Sequence, residues 1–229
     1  MTLLRFMRFA LLAAFIYQVP STASAEDAAM KSPLGNAQST TTSVTTEIFN
    51  QLVIFDIPSG WKTAQKSANQ TQHIIEFIPQ DQTITAWKDM ITMQAFRGTA
   101  LNPKATPVAL LSVLAAGIQK ACGDKFVAQS LGDMKVDSFD AHAAIIGCAK
   151  LPTDAAGAKE GQSEIGIYVS IKGSNDFYFF QRAIRGAAFD MNNPPISAAN
   201  NDDAFLPMHS VKLCGGSIPI DQCSVWKAH

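Results

Sequence analysis

Residues 165–171 read Ile-Gly-Ile-Tyr-Val-Ser-Ile, and after Lys172-Gly173-Ser174-Asn175-Asp176 the chain resumes as Phe177-Tyr178-Phe179-Phe180-Gln181-Arg182-Ala183-Ile184-Arg185. Ile165, Ile167, Val169 and Ile171 fall on one side, with Gly166, Tyr168 and Ser170 on the other. A period of two with branched side chains along one face marks a strand lying against a core. The Gly-Ser-Asn-Asp link then turns the chain into a second strand, so the stretch is a β-hairpin. In its second arm Tyr178, Phe180, Arg182 and Ile184 share one face, while Phe177, Phe179, Gln181, Ala183 and Arg185 share the other.

Moving outward, Ala141–Lys150 (AHAAIIGCAK) reads as a strand with small side chains, separated from the hairpin by a polar, Gly-containing loop at 152–162. Residues 125–138 suggest one or two short strands around Gly132-Asp133. Upstream, Leu52–Ile57, His73–Ile78 and Trp87–Phe96 are further strands, punctuated by Pro58-Ser59-Gly60, Pro79 and Gln80-Asp81-Gln82. These runs suit an antiparallel meander. One helix interrupts them. Thr106 is its N-cap, Pro107 occupies the first helical position, and Gly123 stops it. Between them Val108, Leu111, Ala115, Ile118 and Cys122 form a stripe, widened by Leu110 and Leu114. Residues 203–213 are expected to form a second helix, starting late because of Pro207, with Phe205, Met208 or His209, and Leu213 toward the core. No internal repeat is visible. The fold class is therefore α+β, with a central antiparallel β-sheet and helices packed on its faces.

The run Ile57-Pro58-Ser59-Gly60-Trp61, a strand ending in proline, and Trp87-Lys88-Asp89-Met90-Ile91 resemble the opening of PsbP-like domains. The later Gly173 … Phe177-Tyr178 … Gln181-Arg182-Ala183 hairpin and a terminal element ending at Leu213-Cys214 are similar to small exported bacterial proteins of that fold. The resemblance covers residues 48–215 in order of elements. It implies a sandwich built on a central antiparallel sheet, and proteins that bind or assemble rather than catalyse. Four cysteines and a long leader depart from the plant form, so its particular binding role is not carried over.

The N-terminus carries an address. Arg5 and Arg8 precede the apolar run Phe9–Val19, Pro20 breaks it, and Ala23-Ser24-Ala25 supplies small residues before Glu26. Such a run is too short to span a hydrocarbon core, which needs about 20 apolar residues. Residues 1–25 are read as a cleaved signal peptide, 26–46 as a disordered Ser/Thr/Ala-rich leader, and 47–229 as a single domain. The first cysteine is Cys122, which argues against a lipoprotein. The expected destination is the periplasm or, second, the medium, with no stable membrane insertion after cleavage. Four cysteines (Cys122, Cys148, Cys214, Cys223) in such a compartment are expected to pair as Cys122–Cys148 and Cys214–Cys223.

Composition gives no reason to expect a polyanion as partner: 18 basic and 19 acidic side chains are near balance without the clustered Lys or Arg that phosphates need, so no nucleic acid is expected. His73, His142, His209 and His229 lack metal-binding spacing, and no metal site is expected. A meeting of His73 with His142 across the sheet stays open. No Gly-x-Ser-x-Gly, phosphate loop or dinucleotide fingerprint occurs, and no cofactor is expected. Glu76, Asp89 and Glu164 carry no acid–base signature. Arg182 and Arg185, with Glu76 and Arg97 on earlier strands, form the most notable polar set. Arg182 lies among apolar groups, where it either pairs with a carboxylate or binds an anionic ligand. Trp61 and Trp87 are core or sheet-edge anchors, or the aromatic part of a binding patch. Arg182, Arg185, Trp61 and Trp87 are thus the candidate ligand contacts, and no catalytic residue is assigned. The sequence favours an exported binding or assembly-accessory protein of the bacterial envelope, its partner an envelope protein or small ligand. The alternatives are an envelope hydrolase with a site assembled from separated residues, or a small-ligand carrier.

Overall fold

The decisive hairpin occupies the middle of a seven-stranded antiparallel sheet, which explains why both faces of its second arm are apolar. The computed structural model describes residues 40–49, 51–152, 159, 161–200, 205 and 208–215. Its strands are β1 (Thr41–Ile48), β2 (Gln51–Pro58), β3 (Trp61–Ala68), β4 (Gln72–Pro79), β5 (Asp89–Phe96), β6 (Phe126–Val136), β7 (Phe139–Cys148), β8 (Gln162–Lys172), β9 (Phe177–Ala187) and β10 (Lys212–Gly215), with helix α1 at Pro107–Cys122. The large sheet runs β3-β4-β5-β9-β8-β7-β6, and a small one runs β1-β2-β10. At Gly166 the β8 backbone approaches β9 so closely that a Cβ would stand 2.5 Å from the Arg182 carbonyl oxygen, so only glycine fits.

The small sheet covers the inner face of the large one. Val53, Phe55 and Ile57 of β2 join Phe77, Ile91, Met93, Ile167, Val169 and Phe180 in one buried core. Phe55 meets the edges of Phe77 and Phe180, with ring centroids 5.7 and 5.2 Å apart. On the outer face α1 lies over β6, β7 and β8. Leu111 packs there with Ala144, Ile146, Tyr168 and Phe179. The α+β sandwich with a central antiparallel sheet stands as expected. Thr106 accepts a hydrogen bond from the Ala109 N–H, and Gly123 closes the helix at φ 58°. Cys122–Cys148 forms as expected, tying the end of α1 to β7. Cys214 is also disulfide-bonded, while its expected partner Cys223 lies outside the described residues.

Four local readings need correction. Residues 41–46, assigned to the leader, belong to β1 and pair along their length with β2. Their Ser/Thr content suits an edge strand that buries little. The signal segment and residues 26–39 lie outside the described residues. β3, which the sequence reading passed over beyond Trp61, is a polar edge strand. Residues 126–136 form a single strand with a bulge, within the one or two expected. The expected helix at 203–213 gives way to β10 from Lys212, although Phe205, Met208 and His209 are helical and Phe205, Met208 and Leu213 are buried. Of the α1 stripe, Val108 faces water instead of the sheet.

Candidate functional site

Alternation along β9 sends Arg182 inward and Arg185 outward. Arg182, 7% exposed, donates from Nε and Nη2 to the two carboxylate oxygens of Asp89 at 3.2 and 2.8 Å. Asp89 sits diagonally across the β5–β9 ladder, opposite Ile184. Trp61 stands beside the guanidinium, with its ring centroid 5.8 Å from Cζ. Three residues on, Arg185 donates to Glu164 Oε2 at 2.8 Å, its direct cross-strand neighbour. Its guanidinium stacks on Trp87 at 4.0 Å. The four residues singled out from sequence therefore assemble as two stacks of arginine, carboxylate and indole on opposite faces of one strand. Each guanidinium is neutralised where it is desolvated, the condition for keeping an arginine in a core.

The outer stack borders a surface that composition alone does not reveal. α1 reaches Phe179 of β9 and Phe96 of β5, and the rest of the outer face of β9, β5 and β4 carries no other α-helix among the described residues. Across it Glu76, Thr92 and Gln181 are successive ladder partners forming one transverse polar row, which continues to Tyr168 of β8 beneath α1. Thr92 is 3% exposed, whereas Gln181 and Glu76 are half-buried. Burial pushes the Glu76 carboxyl above its ordinary range, and it makes no hydrogen bond or ion pair among the described residues. Burial, and then the Glu164 carboxylate, hold the Tyr168 hydroxyl well above the usual phenol range, so it stays protonated. Trp87, packed on Ile78, Met90 and Ala183, closes one end of this face. Chemically the row offers amide, hydroxyl and carboxyl groups of both hydrogen-bonding senses, and no net positive charge.

The histidines are dispersed. His73 on β4 and His142 on β7 are separated by three strands and do not meet. Burial and the nearby Lys66 charge lower the His73 pKa, favouring the neutral ring. His142 hydrogen-bonds Asp133 and Ser130, partners that sequence reasoning missed. Gly132 within a strand pattern was the available signal, because an isolated strand glycine marks a bulge that re-aims its neighbours. Among the described residues no cluster of three or more His, Cys, Asp or Glu is placed to hold a metal ion.

No protein-family profile matches the chain, and no curated protein matches it. Among solved structures it is similar to the Ran-binding protein Mog1p of Saccharomyces cerevisiae, at 8% identity and TM-score 0.46 over 76% of this chain and 96% of that one. It is similar to a Bacteroides thetaiotaomicron protein at 12% identity and TM-score 0.40, over 72% of this chain but only 46% of that one. It is also similar to cyanobacterial PsbP (CyanoP) from Synechocystis sp. PCC 6803, at 9% identity and TM-score 0.42 over 66% of this chain and 83% of that one.

Proposed function

We propose that this chain is an exported binding or assembly-accessory domain of the bacterial cell envelope, working in the periplasm, and that the α1-free half of its outer sheet face is the working surface. The observation that carries this reading is the Glu76–Thr92–Gln181 row, whose carboxyl is half-buried yet unpaired among the described residues. Burying a polar group without a partner costs roughly 1–3 kcal/mol, and a bound donor relieves that cost. The disulfide between Cys122 and Cys148 supports an oxidising compartment. No described helix is long and apolar enough to cross a membrane. The partner expected on such a surface is neutral or weakly basic and rich in N–H or O–H donors, an envelope protein or a small polar ligand.

The test is in-cell photocrosslinking from Gln181, with exposed Lys135 on the opposite sheet edge as the control position. A defined envelope partner crosslinking from Gln181, lost in Glu76→Ala and absent from the control, supports the reading. Equal yields at both positions, or none at Gln181, would overturn it.

A further inference from the structure

The bulged edge strand carries a second arrangement on residues that the polar row does not use. Ser130 and Asp133 are three positions apart on β6, so simple alternation sends their side chains to opposite faces. A register shift between Ser130 and Gly132 inserts Leu131 without a ladder partner and brings both side chains to the face of His142 on β7. The imidazole bridges them. His142 Nδ1 lies 2.7 Å from Asp133 Oδ1, and Nε2 lies 3.0 Å from Ser130 Oγ. A carboxylate can only accept here, so Nδ1–H donates to Asp133, and Nε2 is left to accept from the Ser130 hydroxyl. His142 is itself buried, while Ser130 is exposed.

We propose that Ser130, His142 and Asp133 form an acyl-transfer relay acting on esters that reach the exposed Ser130 hydroxyl. Ser130 Oγ bonds to the ester carbonyl carbon as its proton passes to His142 Nε2. The tetrahedral intermediate collapses, the bond to the leaving alcohol breaks, and His142 returns the proton to the departing oxygen. Water then attacks the acyl-serine by the same proton path, releasing the acid and restoring the hydroxyl. The sum is one ester and one water to one acid and one alcohol, with no redox change. Leu131 follows the nucleophile at the irregular point of the ladder, the position whose backbone N–H faces the oxyanion in other serine acyl-transfer sites. Asp133 is 83% exposed, so water screens its hold on the imidazolium and turnover is slow. Covalent capture is therefore the sharper readout.

The disulfide-bonded protein is treated with a fluorophosphonate probe and mapped by peptide mass spectrometry, in parallel with release of p-nitrophenol from p-nitrophenyl acetate. We expect an adduct on Ser130, none at that position in Ser130→Ala, and labelling slowed by about 10²-fold in His142→Gln. Asp133→Asn alters an exposed side chain and leaves the core untouched, so it is the check should His142→Gln fail to fold; it too slows labelling. Absence of a Ser130 adduct overturns the proposal, as does labelling of Asp133→Asn at the native rate, which marks an ordinary exposed serine. Neither result bears on the polar row across β4, β5 and β9.

Discussion

Arg182 and Arg185 stand three positions apart on one strand and face opposite ways, and a carboxylate and an indole help to hold each. The pairing makes their removal costly for different reasons. Arg182→Ala leaves Asp89 partly desolvated without its counter-charge, and we expect a loss of about 3 kcal/mol in urea unfolding. Arg185→Ala uncovers the Trp87 ring and releases Glu164, which is more exposed than Asp89, so its loss should be smaller. Glu76 has the opposite character. Its raised pKa means the folded state holds the proton more tightly than the unfolded chain, so stability falls as pH rises through its titration. Glu76→Gln should accordingly raise the melting temperature at neutral pH, with the gain vanishing below about pH 4, where the carboxyl is protonated in both states. His73 works from the other side. Its lowered pKa makes stability fall as pH drops through about 6.5, and His73→Phe should flatten that limb of the pH–stability profile.

At the level of elements, α1 is fixed at both ends: Thr106 caps its first turn and Cys122 bonds it to β7. Thr106→Ala should cost about 1 kcal/mol, and replacing both Cys122 and Cys148 by serine about 2–4 kcal/mol, each read from chemical unfolding. The helix and the β8–β9 hairpin were legible in the sequence because cap, stripe and alternation all pointed the same way there. β1 and β3 were not. Both are polar edge strands, so the periodic apolar signal is weak, and Thr41–Ile48 resembles unstructured leader until its pairing with β2 is seen. The site divided similarly. Arg182, Arg185, Trp61 and Trp87 were visible as unusual residues on a strand pattern, and alternation correctly assigned the two arginines to opposite faces. The transverse Glu76–Thr92–Gln181 row was hidden because it depends on the register of β4 and β5 against β9, which is distant from both in sequence. Ser130 and Asp133 were hidden because only the bulge brings an odd spacing onto one face.

Across the whole molecule, a central hairpin buried on both sides supports two unlike faces. The inner face is closed by β1-β2-β10, and the outer face is shared between α1 and the polar row. Such an arrangement is held by core packing, while the cysteine bond secures the helix to the sheet beside it. The functional reading follows from that design only if the chain works where cysteines stay oxidised. Intact-mass analysis of the native protein from fractionated cells, with and without prior thiol alkylation, tests this most directly. We expect it in the envelope fraction, beginning at Glu26, with none of its four cysteines open to alkylation. A full-length chain in the cytosol with alkylated thiols would contradict the export and recognition role proposed here.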